Sequence, residues 1–269
     1  MSLTFPHQLD RIRDNALAQE ATLQEVARIY ADALLEGGVV HIYANGHSRI
    51  SVEEVCIRMG ALTGFHALLT TGLVTFTDVI GMNGIRVNQQ VEKVEGLAAK
   101  MLDEISVAPG EPLLVVTATG TTQAAVDMAL EFNRRYPDNP LIALACAEQS
   151  REAPTKHSSG KNLWHVVEEA RRGIFLDNGM PMGDLSVHLE GGDESYAICP
   201  LSSIGALTII QSLNELTLRE ILSRGESHPV LRNMHLGGYG VNYDEWLADQ
   251  RRRYARTLHN PEALTPATR

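Results

Sequence analysis

The chain is predicted to fold as an α/β protein around a parallel sheet, and three observations carry that prediction. Short apolar runs such as Val39–Ala44 and Leu141–Ala147 alternate with longer stretches whose apolar residues recur at helical period. Two of those runs, within Val39–Ser48 (VVHIYANGHS) and Leu113–Thr122 (LLVVTATGTT), stop in a small, hydroxyl-bearing, glycine-containing loop and then become a helix. At 269 residues, with 44% hydrophobic and 21% charged residues, the chain can bury a sizeable core of ordinary globular composition.

The elements follow in order. Residues 7–36 place Leu17, Leu23, Val26, Ile29, Tyr30, Leu34 and Leu35 near a helical period and end at Gly37-Gly38, which predicts one long leading helix. Val39–Ala44 reads as a strand, and Ser48 is placed to cap a helix running to about Gly60. A second strand is expected near Leu68–Val74, a loop at Gly81-Met82-Asn83-Gly84, and a helix over Val87–Ile105 closed by Pro109-Gly110. The second strand-loop-helix unit occupies Leu113–Tyr136, and Leu141–Ala147 follows the turn Pro137–Pro140. A Ser, Lys and His-rich loop, Glu148–Lys161, precedes a short helix at Asn162–Ala170 and a strand at Ile174–Leu176. Leu185–Leu189 is expected as an added edge strand, Ser203–Arg224 as a long helix, Gly237–Gly240 as loop, and Tyr243–Leu258 as a terminal helix. Without a fixed-period repeat or linker, residues 1–269 are expected to form one domain: a leading helix, a sheet core at 37–225 and a C-terminal loop and helix at 226–269.

Charge narrows the partners. A net charge of −10 argues against nucleic acid, which is bound through a positive surface, and Arg251-Arg252-Arg253 reads as a solvated helix face. Cys56, Cys146 and Cys199 are widely spaced in apolar surroundings, as expected of reduced thiols in a cytoplasmic protein. Charged residues at Asp10, Arg11, Arg13 and Asp14 interrupt the region where a secretory signal would lie, and no apolar run is long enough to span a bilayer, so no membrane partner is expected.

The loops themselves point to an anion. A strand that feeds a helix through a short hydroxyl-rich turn directs backbone N–H groups outward at the positive helix end. Thr117, Thr119, Thr121 and Thr122 offer more hydroxyls than one helix cap needs, and Gly46 and Gly120 admit close approach of a ligand. Asn45-Gly46-His47-Ser48 has one glycine where a dinucleotide loop has three, lacks the lysine of a phosphate-binding Walker loop, and lacks the second glycine of a nucleophile elbow. A phosphate or similar oxyanion fits best, with no cofactor implied. No two histidines stand at i, i+4 on a helix, so no metal site is predicted, although His47, His157, His228, His235 and Asn233 could in principle contribute to one.

In both loops the chain resembles the sugar isomerase (SIS) domain family: Ala44–Ser48 matches its first turn and Thr117–Thr122 its second. Within it the chain is similar to stand-alone bacterial phosphosugar-binding proteins, through Gly46-His47-Ser48, Glu53-Glu54 and Lys156-His157-Ser158-Ser159-Gly160-Lys161. The likeness runs from the first helix to about Gly238, with Ala44 where the family usually has glycine and threonines where relatives often have serines. It implies a three-layer, flavodoxin-like sandwich with a five-stranded, mainly parallel sheet, and a homodimer or homotetramer with sites near the subunit interface. The implied ligand is a sugar phosphate or acidic sugar held by Asn45, Gly46, Ser48, Thr117, Thr119, Gly120, Thr121, Thr122, Ser158, Ser159 and Lys161. The implied activity is aldose–ketose isomerisation through an enediolate; a non-catalytic sugar-phosphate sensor, or a lyase or etherase in the same pocket, are the alternatives.

Isomerisation needs a base with a pKa raised toward neutrality, a property of partly buried carboxylates. Glu53 and Glu54 are candidates: Val52, Val55, Cys56 and Met59 form the apolar face of their helix, Glu53 flanks it, and Glu54 is nearly opposite. Glu54 is then solvated if only the sheet covers that helix, and buried if a partner subunit does. His47 could move a proton to the ring oxygen and His157 could act as acid or base. Asp177, Asn178 and Asp184 are placed either to bond sugar hydroxyls or to form turns.

Overall fold

The computed structural model describes residues 3–56, 58–70, 85–231, 233 and 243–254. The expected loop at Gly81–Gly84, the glycine loop at Gly237–Gly240 and His235 lie outside them, as do residues 71–74 and 255–258 of the expected second strand and terminal helix.

Five parallel strands form the main sheet: β1 Val40–Ala44, β2 Phe65–Leu68, β3 Leu113–Val116, β4 Leu141–Ala145 and β5 Gly173–Asp177, in spatial order β2-β1-β3-β4-β5. Every residue of β1, β3 and β4 is buried, because helices cover both faces. Alternate residues of one strand serve opposite layers, as the two-residue side-chain period requires. Ile42, Leu114, Val116, Ile142 and Leu144 meet α2 (Glu20–Leu35), α3 (Arg49–Cys56) and α9 (Ser202–Ser223) through Val26, Tyr30, Leu34, Val52, Val55, Ile209 and Leu213. Tyr43, Leu113, Val115, Leu141 and Ala143 face α5 (Leu97–Asp103), α6 (Gln123–Arg135) and α8 (Leu163–Glu169) through Leu102, Met128, Phe132 and Val166. Burying each of these large side chains contributes about 1.5–3 kcal/mol.

Several elements depart from the sequence expectation, among them β2, which starts at Phe65 and ends at Leu68, where the expected strand begins. The leading helix is two helices, α1 (Phe5–Ala18) and α2, broken at Gln19. There the Gln19 amide takes the place of a neighbouring strand at the sheet edge: its Nε2 donates to Asp177 O (2.8 Å) and its Oε1 accepts Asp177 N–H (3.1 Å). The expected helix over Val87–Ile105 is also two, α4 (Ile85–Val91) and α5, separated by a turn in which Gly96 has φ 90°. Leu185–Leu189 does not join the main sheet. It lies in β6 (Leu185–Gly191), which pairs antiparallel with β7 (Glu194–Pro200) as a separate hairpin. In addition, the loop expected from Glu148 begins as a short helix, α7 (Ala147–Glu152), and the last described helix is α10 (Tyr243–Arg253).

Candidate functional site

β1 and β3 are neighbours, with Ala44 opposite Val116, yet the helices that follow them pack on opposite faces, α3 with α9 and α6 with α5 and α8. Their loops therefore leave the carboxyl edge in opposite directions and open a crevice between them, the topological switch point where doubly wound sheets bind ligands. Adjacency of the two glycine loops is a consequence of strand order.

The threonine loop is rigid on its inner side. Gly120 O accepts Leu163 N–H (2.9 Å) and the Ser150 hydroxyl (3.4 Å), and Ser150 Oγ also accepts Trp164 N–H (2.9 Å). Gly120 adopts φ +72°, and a Cβ there would lie 2.3 Å from Ser150 Oγ, so only glycine lets α7 approach so closely. The Thr119 and Thr121 hydroxyls share a bond of 2.9 Å, and Thr121 N–H reaches Thr119 Oγ1 at 3.3 Å. The N–H groups of Thr119 and Gly120 have no acceptor among the described residues, and those of Thr122 and Gln123 begin α6, where helix geometry leaves them unpaired. Unpaired N–H groups and short hydroxyls at a helix start make a bed for an oxyanion.

Opposite this bed stands a wall that sequence reasoning missed. It comes from the turn between α4 and α5, carrying Glu92 and Glu95, and from Asp127 on α6. Ala124 N–H donates to Glu92 O (2.9 Å), tying the turn to the start of α6, and Asn45 Nδ2 donates to Glu92 Oε2 (3.0 Å), tying it to the loop after β1. Glu95 Oε1 accepts Ser158 N–H (2.8 Å) and Gln123 Nε2 (3.4 Å), while its Oε2 accepts the Ser158 hydroxyl. Asp127 Oδ2 accepts Gly96 N–H and Ala98 N–H, both at 3.0 Å, which caps α5. Gly96 inside an expected helix was the only local signal of this break.

Burial and hydrogen bonding move two carboxyls of this wall in opposite directions. Desolvation raises the Glu92 carboxyl above the ordinary carboxylate range, against smaller opposing effects of the Asn45 bond, Lys93 and Lys156. Glu95 is held below that range, chiefly by its two bonds from Ser158. Replacing Ser158 by alanine should therefore raise the Glu95 pKa, seen by carboxyl NMR titration. It should also increase proteolytic nicking between Ala153 and Lys161, since one of the two bonds that clamp that loop is lost and only the backbone N–H bond remains. Unchanged titration and cleavage would show that Ser158 does not restrain it.

The other expected site residues are placed as follows. Ser48 and the exposed His47 lie in a 3-10 turn, Gly46–Ser48, that runs into α3; Ser48 caps nothing, and Asn45 enters the turn in extended conformation. Glu53 is half exposed and pairs with Arg49 at 2.5 Å. The Glu54 side chain is only 25% exposed, because α9 flanks α3 and Gln211 Nε2 donates to its Oε1 (3.0 Å). The helical wheel made the exposure of Glu54 depend on a partner subunit, whereas α9 of the same chain partly covers it. His157 is a buried peg: its Nδ1 accepts Ser159 N–H (3.1 Å), which fixes the neutral ring's proton on Nε2, 3.7 Å from both Glu95 Oε2 and Asp127 Oδ1. Lys161 is turned to Glu169. Thr117 is buried at the end of β3, Ser158 and Ser159 are exposed, and Asn233 and His228 lie beyond α9, His228 bonding Thr63 O at 2.9 Å. Asp177 accepts Ala147 N–H (3.0 Å), Asn178 bonds Ala118 O (2.9 Å), and Asp184 caps α9 through Ser202, so all three build turns. Among the described residues no three His, Cys, Asp or Glu side chains gather at metal-binding geometry, and no helix is long and apolar enough to cross a membrane.

Strand order and loop placement define a doubly wound α/β protein with two glycine loops at its switch point. The chain belongs to the SIS domain family, whose model matches residues 4–145. It is 26% identical over 229 residues to a UPF0309 protein of Halalkalibacterium halodurans, covering 84% of this chain and 88% of that one. Among solved structures it is similar to a phosphoheptose isomerase from Francisella tularensis (16% identity, TM-score 0.46, 79% of this chain and 93% of that one). It is also similar to a phosphoheptose isomerase from Neisseria gonorrhoeae (12% identity, TM-score 0.47, 79% and 94%).

Proposed function

We propose that the protein binds a phosphorylated or similarly acidic sugar at the threonine loop and interconverts its aldose and ketose forms, with Glu92 as the base. The observation that carries this reading is the meeting, at one sheet edge, of the Thr119 and Gly120 N–H groups, which have no acceptor among the described residues, and the start of α6 with a half-buried carboxylate of raised pKa. The donors hold the anion. Glu92 takes the proton from the carbon beside the carbonyl, the enediolate forms, the proton returns to the neighbouring carbon, and the hydroxyl proton passes from O2 to O1 as the new carbonyl forms. Glu53 and Glu54 fit this task less well, since Arg49 pairs with the half-exposed first, and Gln211 of α9 and the neighbouring Arg58 engage the second. Membership in the SIS family supports the sugar ligand. In our reading the protein works in the cytoplasm as a dimer or tetramer.

The test incubates the full chain with a panel of aldose and ketose phosphates in deuterated water. Deuterium at C2 of one of them, with thermal stabilisation by the same compound, is the expected result. Stabilisation without exchange would replace the isomerase by a sensor, and neither response would remove the sugar-phosphate reading altogether.

A further inference from the structure

The wall of the crevice accepts hydrogen bonds and donates almost none. Asn45 is 5% exposed; its Nδ2 is spent on Glu92, and its Oδ1 is buried without a partner. The opposite amide orientation would set oxygen against the Glu92 carboxylate, so the unpartnered atom beside Glu92 is the acceptor. Glu92, Glu95 and Asp127 add three carboxylates, and among the described residues no Lys or Arg lies within ion-pair distance of any of them. Lys93 and Lys156, the cations that influence Glu92, are exposed. The buried His157 Nε2 lies between Glu95 and Asp127 and is without a hydrogen bond, whereas the other N–H groups on this side among the described residues are already bonded to the carboxylates.

A buried acceptor left without a donor is costly, and a second negative charge brought to this wall is more so. We infer that the crevice selects its ligand by charge: negative only at the end on the threonine loop, and presenting hydroxyl or ammonium donors to Asn45 Oδ1 and Glu92 at the other. Sugars that carry an acid at both ends are then excluded, and a 2-amino sugar phosphate is held at least as well as its 2-hydroxy counterpart. This rests on the sugar-phosphate reading above and specifies its ligand class.

The test uses matched sets of pentose and hexose compounds, each an aldose phosphate, its 2-amino-2-deoxy analogue and its aldonic acid phosphate, with inorganic phosphate as reference. Dissociation constants are measured by calorimetry on the full chain near neutral pH. In whichever set binds, the aldonic acid should be at least about tenfold weaker than the aldose. Glu92→Gln, which keeps an acceptor for Asn45 and removes the charge, should narrow that gap to within about threefold. An aldonic acid that binds as well as the aldose overturns the charge filter while leaving the sugar-phosphate reading standing. A gap unchanged in Glu92→Gln removes Glu92 as its cause. If inorganic phosphate binds and no member of any set does, the sugar reading and this inference fall together.

Discussion

Glu92→Gln is expected to abolish most of the C2 proton exchange, by about 10²–10⁴-fold, while the protein stays folded. The amide oxygen of glutamine can still accept from Asn45, so the turn between α4 and α5 keeps its tie to the β1 loop. What disappears is the proton acceptor. The pH dependence carries the same signature: the base must be ionised, so kcat/KM should fall as pH drops through a value above that of an ordinary carboxylate. Stability should move the opposite way. Because the folded state binds this proton more tightly than the unfolded chain, Glu92 weakens the fold as pH rises from the ordinary carboxylate value to the raised one. Near neutral pH Glu92→Gln should therefore melt no lower than the parent. Exchange at the parent rate in a folded Glu92→Gln protein would assign the base elsewhere, with Glu54 next to be tested.

The second large effect is expected at Gly120. An alanine there adopts left-handed backbone at about 1 kcal/mol, and its Cβ would stand 2.3 Å from Ser150 Oγ and 2.5 Å from Ser150 Cβ. Moving α7 or the loop to relieve that overlap costs about 1–3 kcal/mol more. Gly120→Ala should thus lower the melting temperature by roughly 5–10 °C. It should also remove stabilisation by phosphate, since the N–H groups of the bed move with the loop. Adding Ser150→Gly should return the steric part and leave the conformational part, which a double-mutant cycle measures. A single Gly120→Ala protein that melts within about 1 °C of the parent would refute the tight packing of α7 on this loop.

Residue pattern accounts for most of the architecture. The apolar residues of β1, β3 and β4 read as strands because both faces are buried, and the helical periods of α2, α6 and α9 follow from a single apolar stripe each. Both loops of the crevice were visible, because glycine and clustered threonines after a strand have few other uses. The breaks were not. Gln19 has no propensity to end a helix and does so only because the exposed edge of β5 offers it two backbone partners. Glu92 and Glu95 fall inside the helix expected over Val87–Ile105, which gives them no role in a site. The break at Gly96, capped by Asp127, lets Glu92 meet Asn45 and Glu95 meet Ser158.

The sequence by itself determined the fold class, the strand-loop-helix units and the two glycine loops, because each depends on contacts among residues close along the chain and on the volume of apolar side chains. Tertiary structure alone decided which strands stand side by side, which carboxylates meet the bed, and that His157 is enclosed between Glu95 and Asp127. Those outcomes depend on pairings separated by dozens of residues, such as Asn45 with Glu92 and Glu95 with Ser158, and no local propensity encodes them.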